Sequence, residues 1–352
     1  MIVLQSSLFD TLDQPGGLKK SLQQAIELEF STIPPYLYAL YSIKPESNGA
    51  IHDLIFSVVV EEMLHMSLAC NILNAIGGSP VIDRPKFIPH YPGPLPGSVA
   101  QGLIVPLEKL SLDLVRNIFM VIEEPETPLH FPVGKLRAVQ GPRTIGQFYN
   151  AIKRKIIEKG NGIFTGDPRK QLTHGFPPDQ LIAVTDVDTA VAAIDTIVEQ
   201  GEGTRQSPMD AQKELAHYYR YAEIYHGRQL MLNPNAPPDA PDDQKYIYDG
   251  APIPFDPDGI WPAMKNPKRA DYPMGSGNPA LTKANYANTN FNYTFTSLLK
   301  SLHATFNGAP DSLAGGIGLM ESLKAQALDI VTIDLGNGTH AGPTFDYQPT
   351  NP

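Results

Sequence analysis

The sequence predicts an all-α protein built on a four-helix bundle, with additional helices and long Pro/Gly-rich loops. Three observations predict it. Apolar residues recur at steps of three, four and seven through several long windows. Glycine or proline closes most of those windows. The 34 prolines and 29 glycines among 352 residues exceed what a plain bundle needs, so long ordered connections must join the helices. Hydrophobic residues at 42% against charged residues at 18% mark a globular chain. Its length allows one large domain or two ordinary ones.

Each element can be justified in order. Residues 17–43 carry Leu22, Ile26, Ile33, Leu37 and Leu40 on one helical stripe, with a kink expected at Pro34-Pro35, where proline removes a backbone bond. The short link KPESNG sets up an antiparallel hairpin with a second helix over 50–76. That helix carries Leu54, Val58, His65, Ala69, Ile72 and Ile76 in step and stops at Gly77-Gly78. Residues 80–106, with YPGPLPG, read as an ordered loop, and 107–124 as a helix ended by Pro125. Further helices are expected over 144–159 with Thr144 as cap, over 186–200 capped by Asp186, and over 208–230. Residues 231–290, rich in Pro, Asp, Asn and Gly, read as a wrapping loop segment. A helical pair follows over 291–330, broken at Ala309-Pro310-Asp311. The expected division is a bundle with loop insertions over 1–230, and a wrapping segment with a helical pair packed on it over 231–352.

Composition narrows the partners. The formal charge is −10 and no basic stripe interrupts it, which argues against nucleic acid. Cys70 is the single cysteine, so neither an intrachain disulfide nor a cysteine-based metal cluster can form. The opening MIVLQSSLFDTLDQPGG lacks the basic and apolar regions of a secretory signal, and no apolar stretch reads as long enough to span a bilayer. A cytoplasmic protein without a membrane partner, as a monomer or small homo-oligomer, is the expectation.

The chemistry lies on the helices. In Glu61-Glu62-Met63-Leu64-His65, Glu62 and His65 are three residues apart and share the inward stripe with Val58 and Ala69. A carboxylate beside an imidazole on a buried face is costly without a counter-charge and is what a metal in a bundle core requires. Glu214-Leu215-Ala216-His217 repeats the pattern, in step with Tyr221 and Ile224. One such motif is unremarkable by chance; two on separate inward faces are far rarer. A dinuclear carboxylate site then needs one more glutamate from each of two other helices. On the first helix Glu29 is in step with Ile26 and Ile33, whereas Glu27 shares a face with Lys20 and Gln23. On the helix over 186–200, Glu202 extends the apolar stripe, while Glu199 shares a face with Asp188 and Asp195; either could serve. Glu223-Ile224-Tyr225-His226 is a second-ranked substitute for Glu214 and His217. Glu61 is placed to orient His65 or to bridge through water. Tyr36, Tyr38, Tyr41, Tyr218, Tyr219, Tyr221 and Tyr225 crowd the same helices, mostly as packing, with one or two as candidates to line a substrate pocket or carry electrons. Carboxylate and imidazole donors suit iron, or manganese, as one or two ions.

The segments ELEFSTIPPYLYALYSI, VVVEEMLHMSLACNILNAIGGSP, YPGPLPG, IVEQGEGT and ELAHYYRYAEI resemble the ferritin-like domain of the iminophenyl-pyruvate dimer synthase family of violacein- and rebeccamycin-type pathways. GIWPAMKNP, FNYTFTSLLKSLHATFNG and AGPTFDY extend the resemblance to nearly the whole chain, from about residue 18 to 347. It implies a stand-alone ferritin-like member, a metal-dependent oxidoreductase of secondary metabolism. Dioxygen or peroxide would be the oxidant, and an aromatic or amino-acid-derived small molecule the substrate, with oxidative imine coupling as the named reaction. The family is also associated with haem, for which this sequence carries no CxxCH attachment. Two other functions compete: metal storage, and an inactive binding protein on a relict bundle. Some 120 residues beyond the bundle argue against a storage shell, and the inward carboxylates argue against a metal-free scaffold.

Overall fold

The computed structural model describes residues 11–96, 103–125, 145–204, 207–237, 240, 242–336 and 338–348. The chain is mainly helical. Helix α1 (Gly17–Tyr41) and helix α2 (Gly49–Ala75) form the hairpin. Helix α1 runs on through Pro34 and Pro35. Proline 35 cannot donate to the Ser31 carbonyl, and the Tyr91 hydroxyl takes that acceptor instead at 2.5 Å. Helix α2 ends in paired backbone bonds, Gly78 N–H to the Leu73 carbonyl and Gly77 N–H to the Asn74 carbonyl. Gly77 sits at φ 70°, the left-handed turn that glycine adopts without cost.

Helix α3 covers Leu112–Leu114, the π-helical segment Val115–Phe119, and Met120–Ile122. It starts five residues later than its spacing suggests. Residues 107–110 are held outside the helix instead: the Leu107 N–H donates to Asn266 Oδ1 and the Leu110 N–H to Ser42 Oγ. Helix α4 is Ile145–Lys159, and its expected cap Thr144 lies outside the described residues. Helix α5 (Val187–Glu202) opens on a reciprocal cap between Asp186 and Thr189. Helix α6 is only His217–His226, ended by Gly227 at φ 69°.

Helix α2 packs against α1, α5 and α6, and α5 against α6, with α4 bridging α1 and α5 and the π segment of α3 against α6. Their shared core includes Leu22, Ile26, Val58, Phe119, Ile152 and Ile194. An 18-residue window of α2 averages a mean hydropathy of 1.4, apolar and long enough to cross a membrane, which corrects the expectation drawn from the sequence. The window is 78% buried inside the protein, as befits the central helix of a bundle.

The segment expected as loop from 231 onward is partly regular. Strand β1 (Arg228–Leu232) pairs antiparallel with β2 (Tyr246–Pro252). Helix α7 runs Pro279–Thr305, starting twelve residues before the expected 291 because Asn278 caps it and Pro279 presets its first turn. Helix α8 (Leu313–Val331) packs on α7 and touches α1. The C-terminal segment lies along α7, where Asn288, Asn292 and Thr296 accept the backbone N–H groups of Thr344, Asp346 and Gln348. Acceptors four residues apart on a helix thus serve alternate residues of an extended strap.

Candidate metal centre

Five side chains from four elements meet in the bundle interior. Glu29 comes from α1, Glu62 and His65 from α2, Glu123 from the residue just after α3, and His217 from the first turn of α6. All five are buried. They form two triads that share one carboxylate. Ligand-capable atoms of Glu29, Glu62 and His65 lie within 4.8 Å of one another, as do those of Glu62, Glu123 and His217.

Each of the three carboxylates is held in the same manner. One oxygen accepts a hydroxyl and the other faces a histidine. Tyr149 donates to Glu29 Oε1 at 2.5 Å, and Glu29 Oε2 lies 3.7 Å from His65 Nδ1. Thr32 donates to Glu62 Oε2 at 2.9 Å, and Glu62 Oε1 lies 3.0 Å from His217 Nδ1 and 4.0 Å from His65 Nδ1. Tyr36 donates to Glu123 Oε1, and Glu123 Oε2 lies 3.5 Å from His217 Nδ1. The two imidazoles present Nδ1 to the centre and tie Nε2 outward. His65 Nε2 is 3.0 Å from Gln200 Oε1, and His217 Nε2 is 3.0 Å from Glu61 Oε2. Arg220, also buried, donates to Glu61 Oε1 at 2.8 Å and to Ser57 Oγ at 2.9 Å.

The electrostatics show a surplus of negative charge. Burial pushes the Glu62 carboxyl up to about 7, and the neighbouring Glu123 carboxylate adds to the rise. Burial opposes charge on His217, but Glu123, Glu61 and Glu62 outweigh it and lift its pKa well above the ordinary histidine range. His65 is raised for the same reason, with Glu29 and Glu62 overcoming its burial. Burial also disfavours the ionised form of Glu61, yet His217 and Arg220 prevail and hold it at about 2. Tyr36 and Tyr149 are both raised well above the ordinary phenol range, first by burial and then by the carboxylates they touch. A fully buried His217 Nδ1 stands 3.0 Å from Glu62 without hydrogen-bond geometry. Its nearest guanidinium, Arg220, is already committed to Glu61. Three carboxylate oxygens and two imidazole nitrogens converge with no lysine or arginine among them in the described residues, a donor set that could hold a metal ion.

The remaining residues singled out by spacing lie elsewhere. Glu199 is half-buried on the far side of α5, beside Asp195, Asp210 and Lys153, and stays out of the cavity. Glu202 lines the small cavity of about 40 Å³ that opens beside Glu29, Glu62, His65 and Glu123, but its carboxylate accepts the Gly146 N–H at 2.9 Å at the start of α4. Glu214 lies in the turn before α6, 54% exposed and 3.6 Å from Arg220. The ExxH over 214–217 is therefore not on one helix: the Asp210–Lys213 turn, with Lys213 at φ 66°, delays α6 until His217. Glu223 accepts the Leu230 N–H at 2.8 Å and His226 stacks on Tyr248, both apart from the centre. Glu61 orients His217 rather than His65.

Spacing missed Glu123 and Tyr149. Glu123 is in step with Val115 and Phe119, and Tyr149 with Ile145, Ile152 and Ile156, so both signals are present in the chain. Competition from Glu199 and Glu202 on the longer helix conceals the first.

A helical bundle with carboxylates and histidines converging from its hairpin and its later helices defines the ferritin-like class. The chain belongs to the Ferritin-like family, which matches residues 22–226. A crystal structure of a ferritin-like protein from Caulobacter vibrioides at 1.95 Å resolution superposes with a TM-score of 0.59 and 25% identity, covering 94% of this chain and 97% of that one. Dichlorochromopyrrolate synthase of Lentzea aerocolonigenes is 24% identical over 392 aligned positions, 94% of this chain and 36% of that protein. The 2-imino-3-(indol-3-yl)propanoate dimerase of Chromobacterium violaceum is 26% identical over 258 positions, 60% of this chain and 23% of that protein. The chain thus spans about a third or less of the length of these relatives.

Proposed function

We propose that this chain is a dinuclear non-haem iron oxidoreductase of secondary metabolism that acts on an aromatic, amino-acid-derived small molecule. The observation that carries the reading is the pair of buried triads sharing Glu62. Glu29, Glu62 and His65 would hold one ion, and Glu62, Glu123 and His217 the other, with Glu62 between them. Glu202, in the cavity wall, is a candidate further ligand, with its Oε1 accepting the Gly146 N–H as the other carboxylates accept their donors. Bound iron supplies the redox change needed to reduce dioxygen or peroxide.

The protein's own groups do the rest. Thr32, Tyr36 and Tyr149 fix which oxygen of each carboxylate faces inward, so little reorganisation accompanies loading. The two phenols keep their protons at neutral pH and so remain donors to the Glu123 and Glu29 carboxylates. The cavity is far smaller than the ~300–1,000 Å³ of a typical organic-ligand pocket, so it suits a diatomic or a water-sized ligand. Apolar Ile122, Ile145, Ile197 and Val198 line it and restrict water. An aromatic substrate would meet the site at this apolar rim rather than enter it.

The names of the relatives support the substrate class: one dimerises an indolyl imine and the other makes a dichlorinated chromopyrrolate. Coupling two such imines through carbon removes two electrons and two protons, which dioxygen accepts as hydrogen peroxide. The test is dioxygen uptake by anaerobically iron-loaded protein, with and without 2-imino-3-(indol-3-yl)propanoate generated in place. Uptake that requires both iron and the imine, with a coupled product by mass spectrometry, is expected. Uptake that follows added iron alone, with continuing accumulation of ferric mineral and no organic product, would instead assign the chain to iron storage.

A further inference from the structure

The two triads resemble each other at the centre and differ behind it. Both histidines offer Nδ1 inward and bond outward through Nε2. Behind His217 stands the Glu61 carboxylate, whose other oxygen accepts from Arg220 at 2.8 Å. Behind His65 stands the neutral carbonyl of Gln200, which is fully buried and whose Nε2 has no partner among the described residues. An anionic acceptor on the distal N–H makes an imidazole a stronger donor than a neutral one does. The triads also differ in access: all three members of Glu29–Glu62–His65 line the cavity, whereas His217 of the other triad is not among its lining residues.

Resting on the dinuclear reading above, we infer that the two metal positions are unequal: the Glu62–Glu123–His217 position fills first and holds tightly, and the Glu29–Glu62–His65 position fills second and exchanges through the cavity. Glu61 and Gln200 are the positioning residues that set the difference. They act through the two histidines and do not themselves reach the metal. A weakly held ion beside the cavity also places the exchangeable coordination position where a small oxidant arrives.

The test is an equilibrium titration of the metal-free full chain with Co²⁺, read by calorimetry and by the visible ligand-field bands, which report coordination rather than fold. Two steps are expected, separated by at least about tenfold in affinity. Glu61→Gln, which keeps the shape and removes the charge, should weaken the first step by ~10–100-fold and leave the second in place. Gln200→Glu should tighten the second step by about tenfold, shift its bands, and leave the first unchanged. Two equal steps in the wild type, a Glu61→Gln effect confined to the second step, or a Gln200→Glu variant with an unaltered second step would each overturn the inference. Uptake of one Co²⁺ per chain would leave a metal centre but overturn its two unequal positions. No uptake at all would overturn the metal-centre reading itself.

Discussion

Glu62 carries more of the site than any other residue. It is the carboxylate common to both triads, and its two oxygens are already divided between Thr32 and the histidines. Its folded pKa of about 7 lies above its ordinary 4.5. Between those values the native chain holds a proton that the unfolded chain has released, so the metal-free protein loses stability as pH rises through that window. The full effect is roughly 3 kcal/mol at ~1.4 kcal/mol per unit. His217, raised above its ordinary 6.5, contributes stability that is complete below that value and is lost as pH climbs through its folded pKa. A bound dication replaces these protons, so metal binding strengthens over the same rise. Urea unfolding at about pH 5 and about pH 7 should show the metal-free chain less stable at the higher pH, and the Mn²⁺-loaded chain equally or more stable there. Equal stability of the metal-free chain at both would contradict a protonated Glu62. At this scale much of the site is legible in the sequence. Glu29, Glu62 and His65 lie on long helices whose apolar stripes are unbroken, so their direction follows from spacing alone. Glu61 also lies on such a helix, but which histidine it reaches depends on α6, which no local pattern fixes.

The elements explain the other departures. Helical spacing extrapolates a face only while the helix lasts. Glu214 and His217 share a face on paper, but the chain turns at Asp210–Lys213 and only His217 enters α6. Glu123 lies beyond a π segment, where the wider turn alters the face that later residues present. Such single π turns often accompany functional sites, which fits the place of α3 here. Helix α7 and the β1–β2 hairpin lie in a stretch whose Pro, Asp and Asn content reads as loop; there the Asn278-Pro279 pair is a helix start rather than a stop. One glycine sits at the start of the contact between α4 and α5. A Cβ on Gly146 would lie 2.7 Å from both carboxylate oxygens of Glu202. Gly146→Ala should therefore push the flexible end of the Glu202 side chain aside rather than move α4, and, with alanine favouring the helix, should change stability by no more than about 1 kcal/mol. The measurement is the urea midpoint; a loss well beyond that would mean that Glu202 cannot swing aside and that its bond to α4 is structural.

On the scale of the whole molecule, the hairpin of α1 and α2 is the fixed frame and everything else is arranged around it. The later helices bring His217, Arg220 and Gln200 to its inner face. Helix α7 and the C-terminal strap close its outer side, with Phe30 of α1 packed between Phe87 and Phe295. Family membership rests on residues 22–226, yet the structural likeness to the Caulobacter protein covers 94% of the chain, so it extends into the outer helices as well. Overall class and hairpin are legible in the sequence because they depend on long, local periodicity. Long-range closure is not, because it depends on single caps, turns and partners far apart in the chain. The central claim, a two-ion centre organised by one shared glutamate, is tested most directly by metal content per chain. Inductively coupled plasma mass spectrometry after anaerobic iron loading should give close to two irons in the wild type and near none in Glu62→Ala, with circular dichroism confirming a folded variant. A folded Glu62→Ala that keeps the wild-type iron, or a wild type that holds none, would contradict it.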